Sequence, residues 1–322
     1  MTEFELIRRY FTRAAPGAEL GVGDDAALLR VAPGMELAVS SDMLVSGTHF
    51  FPDADPAGLG HKTLAVNLSD MAAMGAAPRW ALLSLSLPSV DEVWLQRFSD
   101  GFFALANRHG VELVGGDTTR GPLNLCVTIM GETPQGAALR RAGARPGDEI
   151  WVSGTLGDAA LALAHLQGKV RLEQDGLTKC ATKLHRPEPR VALGQALRGV
   201  ATSMIDVSDG LLADLGHILD CSKTGAEIRL DALPLSPHVQ ALVGASAVAR
   251  DLAVHCAVSG GDDYELCFTA PAGKHEQIAQ LSDRLNVPLT PIGVIVGGSG
   301  LRVHAADGGA IHMKETGYDH FA

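Results

Sequence analysis

Apolar stretches that run into aspartate, set among glycine and serine, recur along the whole of this chain. They are ELGVGDD ending at Asp24 and Asp25, ELAVSSD ending at Asp42, and TLAVNLSD ending at Asp70. VELVGGD ending at Asp117, MIDVSDG with Asp206 and Asp209, and AVSGGDD with Asp262 and Asp263 continue the series. A single such carboxylate is an ordinary turn or helix cap. The recurrence at the ends of expected elements points to one shared site, so the fold must gather those ends. Carboxylates held close repel one another and cannot all stay ionised unaided. Mg²⁺ resolves the conflict, because it takes oxygen ligands and keeps positions open for phosphate. The expectation is an enzyme that holds a polyphosphate through several Mg²⁺ ions.

Hydrophobic patterning supplies the elements between these acids. LAVSSDML and WALLSLSLP read as strands, with Leu83, Leu85 and Leu87 alternating in the second. GLGHKTLAVNLSDMAAMGA reads as a helix rich in Ala, Leu and Met. In VDEVWLQRFSDGFFALANRHG, Val93, Leu95, Phe98, Phe102 and Leu105 recur near helical spacing, and Gly110 stops the helix. VELVGGD and LNLCVTIMGE follow as strands. The run ALRRAGARPGDEIWVSG is punctuated by Gly143, Pro146 and Gly147, which sets a domain boundary near residue 145: domains over 1–145 and 146–322. The second part alternates again, with strands expected at Val200 to Val207 and Tyr264 to Thr269 among helices, so the class is α/β (α+β) in two domains.

Length agrees, since 322 residues exceed what one core usually organises. With 46% hydrophobic and 20% charged residues the chain is globular. Its net charge of −11 argues against nonspecific nucleic-acid binding. The 5 cysteines are odd in number and form no C-x-x-C pair, which reads as buried thiols in a reducing compartment. MTEFELIRRYF reads as an amphipathic helix and not as a signal peptide. No apolar run approaches ~18 residues, so no membrane span is expected and a cytoplasmic location follows by default.

The motifs narrow the chemistry. Gly21-Val22-Gly23-Asp24-Asp25 would repel a bare phosphate and is no dinucleotide loop; a solvated turn is its plain alternative. No G-x-x-x-x-G-K-[ST] occurs, which excludes a P-loop kinase, and no H-E-x-x-H occurs. Ser40-Ser41-Asp42 offers oxygen ligands at the close of a strand. His49 follows, though a lone histidine is more often structural. Asn67 and Asp70 share a helix face. Gly115-Gly116-Asp117-Thr118-Thr119 lets backbone N–H groups approach a phosphate. Of Arg140, Arg141 and Arg145, one would suit a bidentate phosphate contact. Ser208 or Asp209 is placed to cap the helix that starts at Leu211. Ser259 to Glu265 is the densest acidic cluster, with a surface hairpin as its alternative.

Taken together, GVGDDAAL, SSDMLVSGTHF, KTLAVNLSDMAAMGA, VGGDTTRGPL, RAGARPGD, IDVSDGLLADLGH, SGGDDYELCF and the terminal GYDHFA resemble the thiamine-monophosphate kinases. These are members of the ATP-dependent superfamily that includes aminoimidazole ribonucleotide synthetase and selenophosphate synthetase. The resemblance implies that two-domain fold, with an N-terminal ATP- and Mg²⁺-binding domain that pairs in a homodimer, a C-terminal α/β domain that completes the active site, and ATP in the cleft. It implies γ-phosphoryl transfer from ATP to thiamine monophosphate. Matched by position, the metal ligands are Asp25, Ser40, Ser41, Asp42, Asp70, Asp117, Asp206 and Asp209, with Asp209 also carried as the catalytic residue. Gly116, Asp117, Arg141 and Ser208 match nucleotide positions; His49, Asp262 and Tyr318 match thiamine-phosphate positions. Two departures stand out: Ser40-Ser41-Asp42 where relatives often have Ser-Thr-Asp, and SGGDD where they often have SGGED. The acceptor phosphate is largely deprotonated near neutral pH, so no strong general base is required.

Two alternatives differ in kind. A sister synthetase would need a reactive cysteine in the N-terminal segment or at the C-terminus, but the first cysteine is Cys126 and the chain ends His320-Phe321-Ala322. A nonenzymatic nucleotide-binding regulator would have lost metal ligands, yet every matched acid is present. The apolar strand WALLSLSLP is taken as support for the homodimer.

Overall fold

A computed structural model describes residues 2–311, 317–318 and 320–321. The chain divides into two compact units: Met1–Met71 with Ala76–Ala138, and Ala72–Gly75 with Leu139–Ala322.

The first unit begins with a short helix α1 (Glu3–Leu6) that passes into a π turn, Ile7–Phe11. One amphipathic helix was expected there. The turn packs Leu6, Tyr10 and Phe11 inward together. Then come β1 (Met35–Val45), α2 (Pro56–Ala73), β2 (Ala77–Leu87), α3 (Glu92–His109), β3 (Glu112–Arg120) and β4 (Asn124–Pro134). Asp91 caps α3 through the N–H groups of Val93 and Trp94, and Gly110 ends it at φ 66°. The strands form a sheet in the order β1-β4-β2-β3, with β2 and β3 parallel and the other pairs antiparallel. Alternation in the strands sends Leu83, Leu85 and Leu87 of β2 and Leu125, Val127 and Ile129 of β4 into the core. Helix α2 lies on that side, touching the sheet through Asn67, Asp70 and Met71. Helices α2 and α3 meet backbone to backbone: a Cβ on Gly60 would stand 2.0 Å from Phe98 O, and one on Gly101 2.0 Å from Ala57 O.

The hydrophobicity of β2 thus has an internal explanation. It is a central strand whose leucines fill this unit's own core, so it is not a sign of association. Among the strands of this sheet, the exposed large apolar residues are Leu37, Val39 and Met43 of the edge strand β1.

The second unit contains β5 (Asp148–Ser153), α4 (Asp158–Leu166), α5 (Gln174–His185), α6 (Val191–Ala196), β6 (Ser203–Val207) and α7 (Leu211–Ser222). It continues through β7 (Gly225–Arg229), α8 (Pro237–Ala245), α9 (Ala247–Ser259), β8 (Glu265–Pro271), α10 (His275–Leu285), β9 (Leu289–Val296), β10 (Gly300–His304) and β11 (Ala310–Ile311). Its sheet runs β11-β10-β7-β9-β5-β8-β6. The core joins Ile150 and Val152 of β5, Ile205 and Val207 of β6, and Leu211, Leu215 and Ile218 of α7. Below it, Glu265 is buried with Arg190 in a two-pronged ion pair, and Ser153 Oγ donates to it at 2.6 Å.

The cysteines are free. Burial pushes the Cys180 and Cys256 thiols up to about 12, and that of Cys267 higher still. Cys126 is only half-buried and Cys221 is exposed, contrary to a uniformly buried set. Among the described residues no helix is long and apolar enough to cross a membrane.

Candidate active-site residues

In the first unit Asp42, Asp70 and Asp117 sit inside elements, not at their ends. Ser40 and Asp42 are neighbours but one on the central stretch of β1, so both face α2. Ser40 Oγ donates to Asp70 Oδ2 at 2.5 Å, and Asp42 N–H donates to Asn67 Oδ1 at 3.2 Å. Asn67 is in turn held by its own amide on Thr63 O at 3.1 Å. Ser40, Asp42, Asn67 and Asp70 therefore form one polar patch between strand and helix. Ser41 points the other way; its hydroxyl donates to Val127 O at 3.1 Å. Its main-chain carbonyl, like that of any strand residue, lies in the plane of the sheet.

Asp117 belongs to a different row. The ladder sets it beside Ser84, in the row that runs through Cys126 to Met43, whereas Asp42 aligns with Val127 and Leu83. Adjacent rows face opposite sides of a sheet, so Asp117 shares the side of Ser41. A bulge in β3 opposite Ala81 and Leu82 precedes it. Gly116 follows at φ 144°, where a Cβ would stand 1.8 Å from Leu83 O. Glycine is required there, and it presents an exposed backbone beside Asp117. Asp25 is on an exposed loop, its N–H on Asp24 Oδ1 at 2.9 Å. His49 lies in the turn after β1, its Nδ1 accepting from Val45 N–H at 3.0 Å.

In the second unit three segments converge. Asp206 is the last residue but one of β6 and is buried; Ser208 and Asp209 lie in the loop before α7. Neither caps α7. Gly210 is the N-cap, and Asp214, one turn into the helix, reaches back instead. Its Oδ2 accepts from Ser208, Asp209 and Gly210 N–H at 3.0, 3.1 and 3.1 Å. Burial, together with the charges of Asp206 and Asp209, raises the Asp214 carboxyl to about 7. The second segment, Gly260 to Tyr264, is an irregular link from α9 to β8 and not a hairpin. Asp262 N–H donates to Ser208 O and Tyr264 N–H to Val207 O, both at 2.8 Å. Asp263 turns inward: Gly157 N–H reaches both its oxygens at 3.0 Å, and burial raises its carboxyl well above the ordinary range. The third is the tail. Tyr318 N–H donates to Asp209 O at 3.0 Å, and Gly317 packs on Ala213. Tyr318 stays half exposed, its ring edge-on to His320 at 4.9 Å, and Phe321 is fully exposed. Asp319 of the terminal motif lies outside the described residues.

Arg141 is exposed on the loop before β5. Ser222 at the end of α7 holds that loop, accepting from Gly143 and Ala144 N–H at 3.1 Å each.

Sequence reading passed over Asp214 and Tyr264. The signal for Asp214 was an acid within the first turn of a helix that follows a Gly-containing loop.

Among the described residues, no three His, Cys, Asp or Glu side chains form a ready-made metal cage. The donor set nevertheless fits Mg²⁺, which is typically held by one or two carboxylates with the remaining positions given to water and substrate phosphate. The excess negative charge around Asp206, Asp209 and Asp214 is what such a cation offsets.

Comparison with known proteins follows the same pattern. The AIR synthase related protein N-terminal domain matches residues 23–133, and its C-terminal domain matches residues 145–306. The thiamine-monophosphate kinase of Escherichia coli (strain K12) is 48% identical over 324 residues, covering 99% of this chain and 98% of that protein. That of Bacillus subtilis (strain 168) is 32% identical over 332 residues, covering 100% of both. Among solved structures, the thiamine-monophosphate kinase from Stenotrophomonas maltophilia K279a superposes with a TM-score of 0.85 at 49% identity, covering 96% of each chain. AaThiL complexed with AMPPCP and TMP superposes with a TM-score of 0.76 at 30% identity, covering 90% of this chain and 89% of that one.

Proposed function

The chain belongs to the AIR synthase related proteins, in their thiamine-monophosphate kinase branch, and from that membership we propose that it phosphorylates thiamine monophosphate to thiamine diphosphate with ATP. The observation that carries this is the end-to-end likeness to these kinases, with every matched acid in place in both units.

The residues divide the work. Ser40, Asp42 and Asp70, the Ser41 carbonyl, Asp117 and Asp25 in the first unit, with Asp206 and Asp209 in the second, supply oxygen ligands for several Mg²⁺ ions. When bound, Mg²⁺ neutralises phosphate charge and draws donor and acceptor into line. The exposed Gly116 backbone admits a phosphate close to the main chain, and the Arg141 fork suits a bidentate phosphate contact. Ser208 offers a hydroxyl on the loop that Asp214 holds. Asp209, at the junction of that loop and the tail, is the residue assigned nearest the transfer. Tyr318 presents an aromatic face to the cationic thiazolium, an attraction of roughly 0.5–2 kcal/mol. Asp262 adds negative charge to the same end of the substrate, and His49 is assigned to its phosphate end. The acceptor is already anionic near neutral pH, so these groups position and neutralise and need not abstract a proton.

The protein acts as a homodimer through its first unit. Leu37, Val39 and Met43, exposed on one side of the edge strand β1, support this reading. A cytoplasmic setting, where ATP is available, fits the reaction.

A coupled assay with ATP and Mg²⁺ tests the function, with thiamine monophosphate and free thiamine run side by side. Turnover of the monophosphate and none of free thiamine is the expected result. Efficient use of free thiamine, or no use of the monophosphate, overturns the proposal.

A further inference from the structure

Within three residues of the Gly260–Tyr264 segment, two non-glycine residues hold left-handed backbone: Asp262 at φ 70° and Tyr264 at φ 48°. Asp tolerates this region; a bulky tyrosine does so only under constraint. The neighbouring main chain supplies the constraint. Main-chain bonds from Asp262 to Ser208 O and from Tyr264 to Val207 O stitch the segment to the Asp206–Gly210 loop, and Asp263 is drawn inward onto Gly157. No Cβ is tolerated at Gly261, where it would stand 2.6 Å from Ser208 O. This arrangement includes a side-chain bond: Tyr264 Oη donates to Asp262 Oδ1 at 3.0 Å. Tyr264 itself is buried, so its hydroxyl is fixed by packing and in turn fixes the orientation of the half-buried carboxylate.

We propose that Tyr264 is a positioning residue for the thiamine-phosphate acceptor, acting by locking the Asp262 carboxylate through its hydroxyl. This rests on the assignment of Asp262 to the acceptor. A carboxylate on a short side chain has few rotamers, but its plane turns freely about the last bond. A hydroxyl bond to one oxygen removes that freedom before the cationic heterocycle arrives, so less order is lost on binding. Because Asp262 is assigned to the acceptor and not to ATP, the effect is confined to one substrate.

The test is Tyr264→Phe, which keeps the ring and removes only the hydroxyl. The Michaelis constant for thiamine monophosphate should rise about fivefold, as expected for losing the net contribution of one hydrogen bond, while that for ATP stays within about twofold. Asp262→Asn is measured in parallel, together with the double variant. Coupling requires that Tyr264→Phe add little once Asp262 is replaced. If Asp262→Asn raises the acceptor constant and Tyr264→Phe does not, or if Tyr264→Phe raises both constants together, the role of Tyr264 is refuted while the assignment of Asp262 stands. If Asp262→Asn leaves the acceptor constant unchanged, the underlying assignment fails and this inference with it. A thermal melt of each variant separates these outcomes from a loss of folded protein.

Discussion

At the scale of single residues, what matters is which charge is left uncompensated. Asp42 is half-buried, its backbone fixed by Asn67, and it stands beside the Ser40–Asp70 pair. Asp42→Asn preserves shape and removes the charge assigned to Mg²⁺. Turnover should fall by at least about 100-fold, with circular dichroism unchanged, because electrostatic stabilisation is usually the largest catalytic contribution. Activity within about twofold of the parent at saturating Mg²⁺ would count against the metal role. Asp263 obeys a different logic. Burial raises its folded-state carboxyl well above the unfolded value of 3.8. The folded chain therefore keeps a proton that the unfolded chain loses, so this contribution is full at acid pH and is lost as pH rises through the window between the two values. Asp263→Asn cannot ionise and still offers an oxygen to Gly157. Thermal unfolding should show the variant gaining stability relative to the parent between about pH 5 and about pH 8. A constant difference at both pH values would show that Asp263 ionises normally.

At the scale of elements, the tightest constraint in the first unit is the crossing of α2 and α3. Alanine at an exposed helical glycine gains about 1 kcal/mol of propensity. At Gly60 and Gly101 a new Cβ would instead stand 2.0 Å from a carbonyl oxygen of the facing helix. Parting two packed helices costs about 1–3 kcal/mol, so the steric effect outweighs propensity. Gly60→Ala and Gly101→Ala should each lower the melting temperature by several degrees, and calorimetry of both variants checks this. A rise in either would mean that the helices part without cost. This contact was invisible in sequence, where both glycines read as permissive members of helices. The same scale shows why the acids were misread as element ends. Strand alternation and a bulge can expose a carboxylate from the middle of a strand, as they do at Asp42 and Asp117.

At the scale of the whole molecule, the sheet of the first unit leaves Leu37, Val39 and Met43 uncovered along an edge strand, where an unpaired strand is usually blunted by charge. The proposed homodimer would cover them. Light scattering at micromolar concentration should give twice the chain mass. Val39→Glu with Met43→Glu should halve it, since burying two carboxylates without partners is unfavourable. A monomeric parent, or a dimer indifferent to these charges, would remove the proposal.

The sequence by itself determined the elements and the chemistry. Helical spacing ending at Gly110, alternation in β2 and the repeated acids among glycine and serine are local patterns, and local sterics and hydrophobicity are enough to read them. Their order resembles one kinase family from end to end, and the relatives bear that out. Only the tertiary structure decided how the side chains are shared out. It set Ser40 and Asp42 toward α2, with Ser41 and Asp117 on the other side, because side-chain direction depends on register and on a bulge that no local pattern marks. It gave the Asp262 carboxylate to Tyr264, because that contact needs the segment to be hydrogen-bonded first to Val207 and Ser208, far away in the chain.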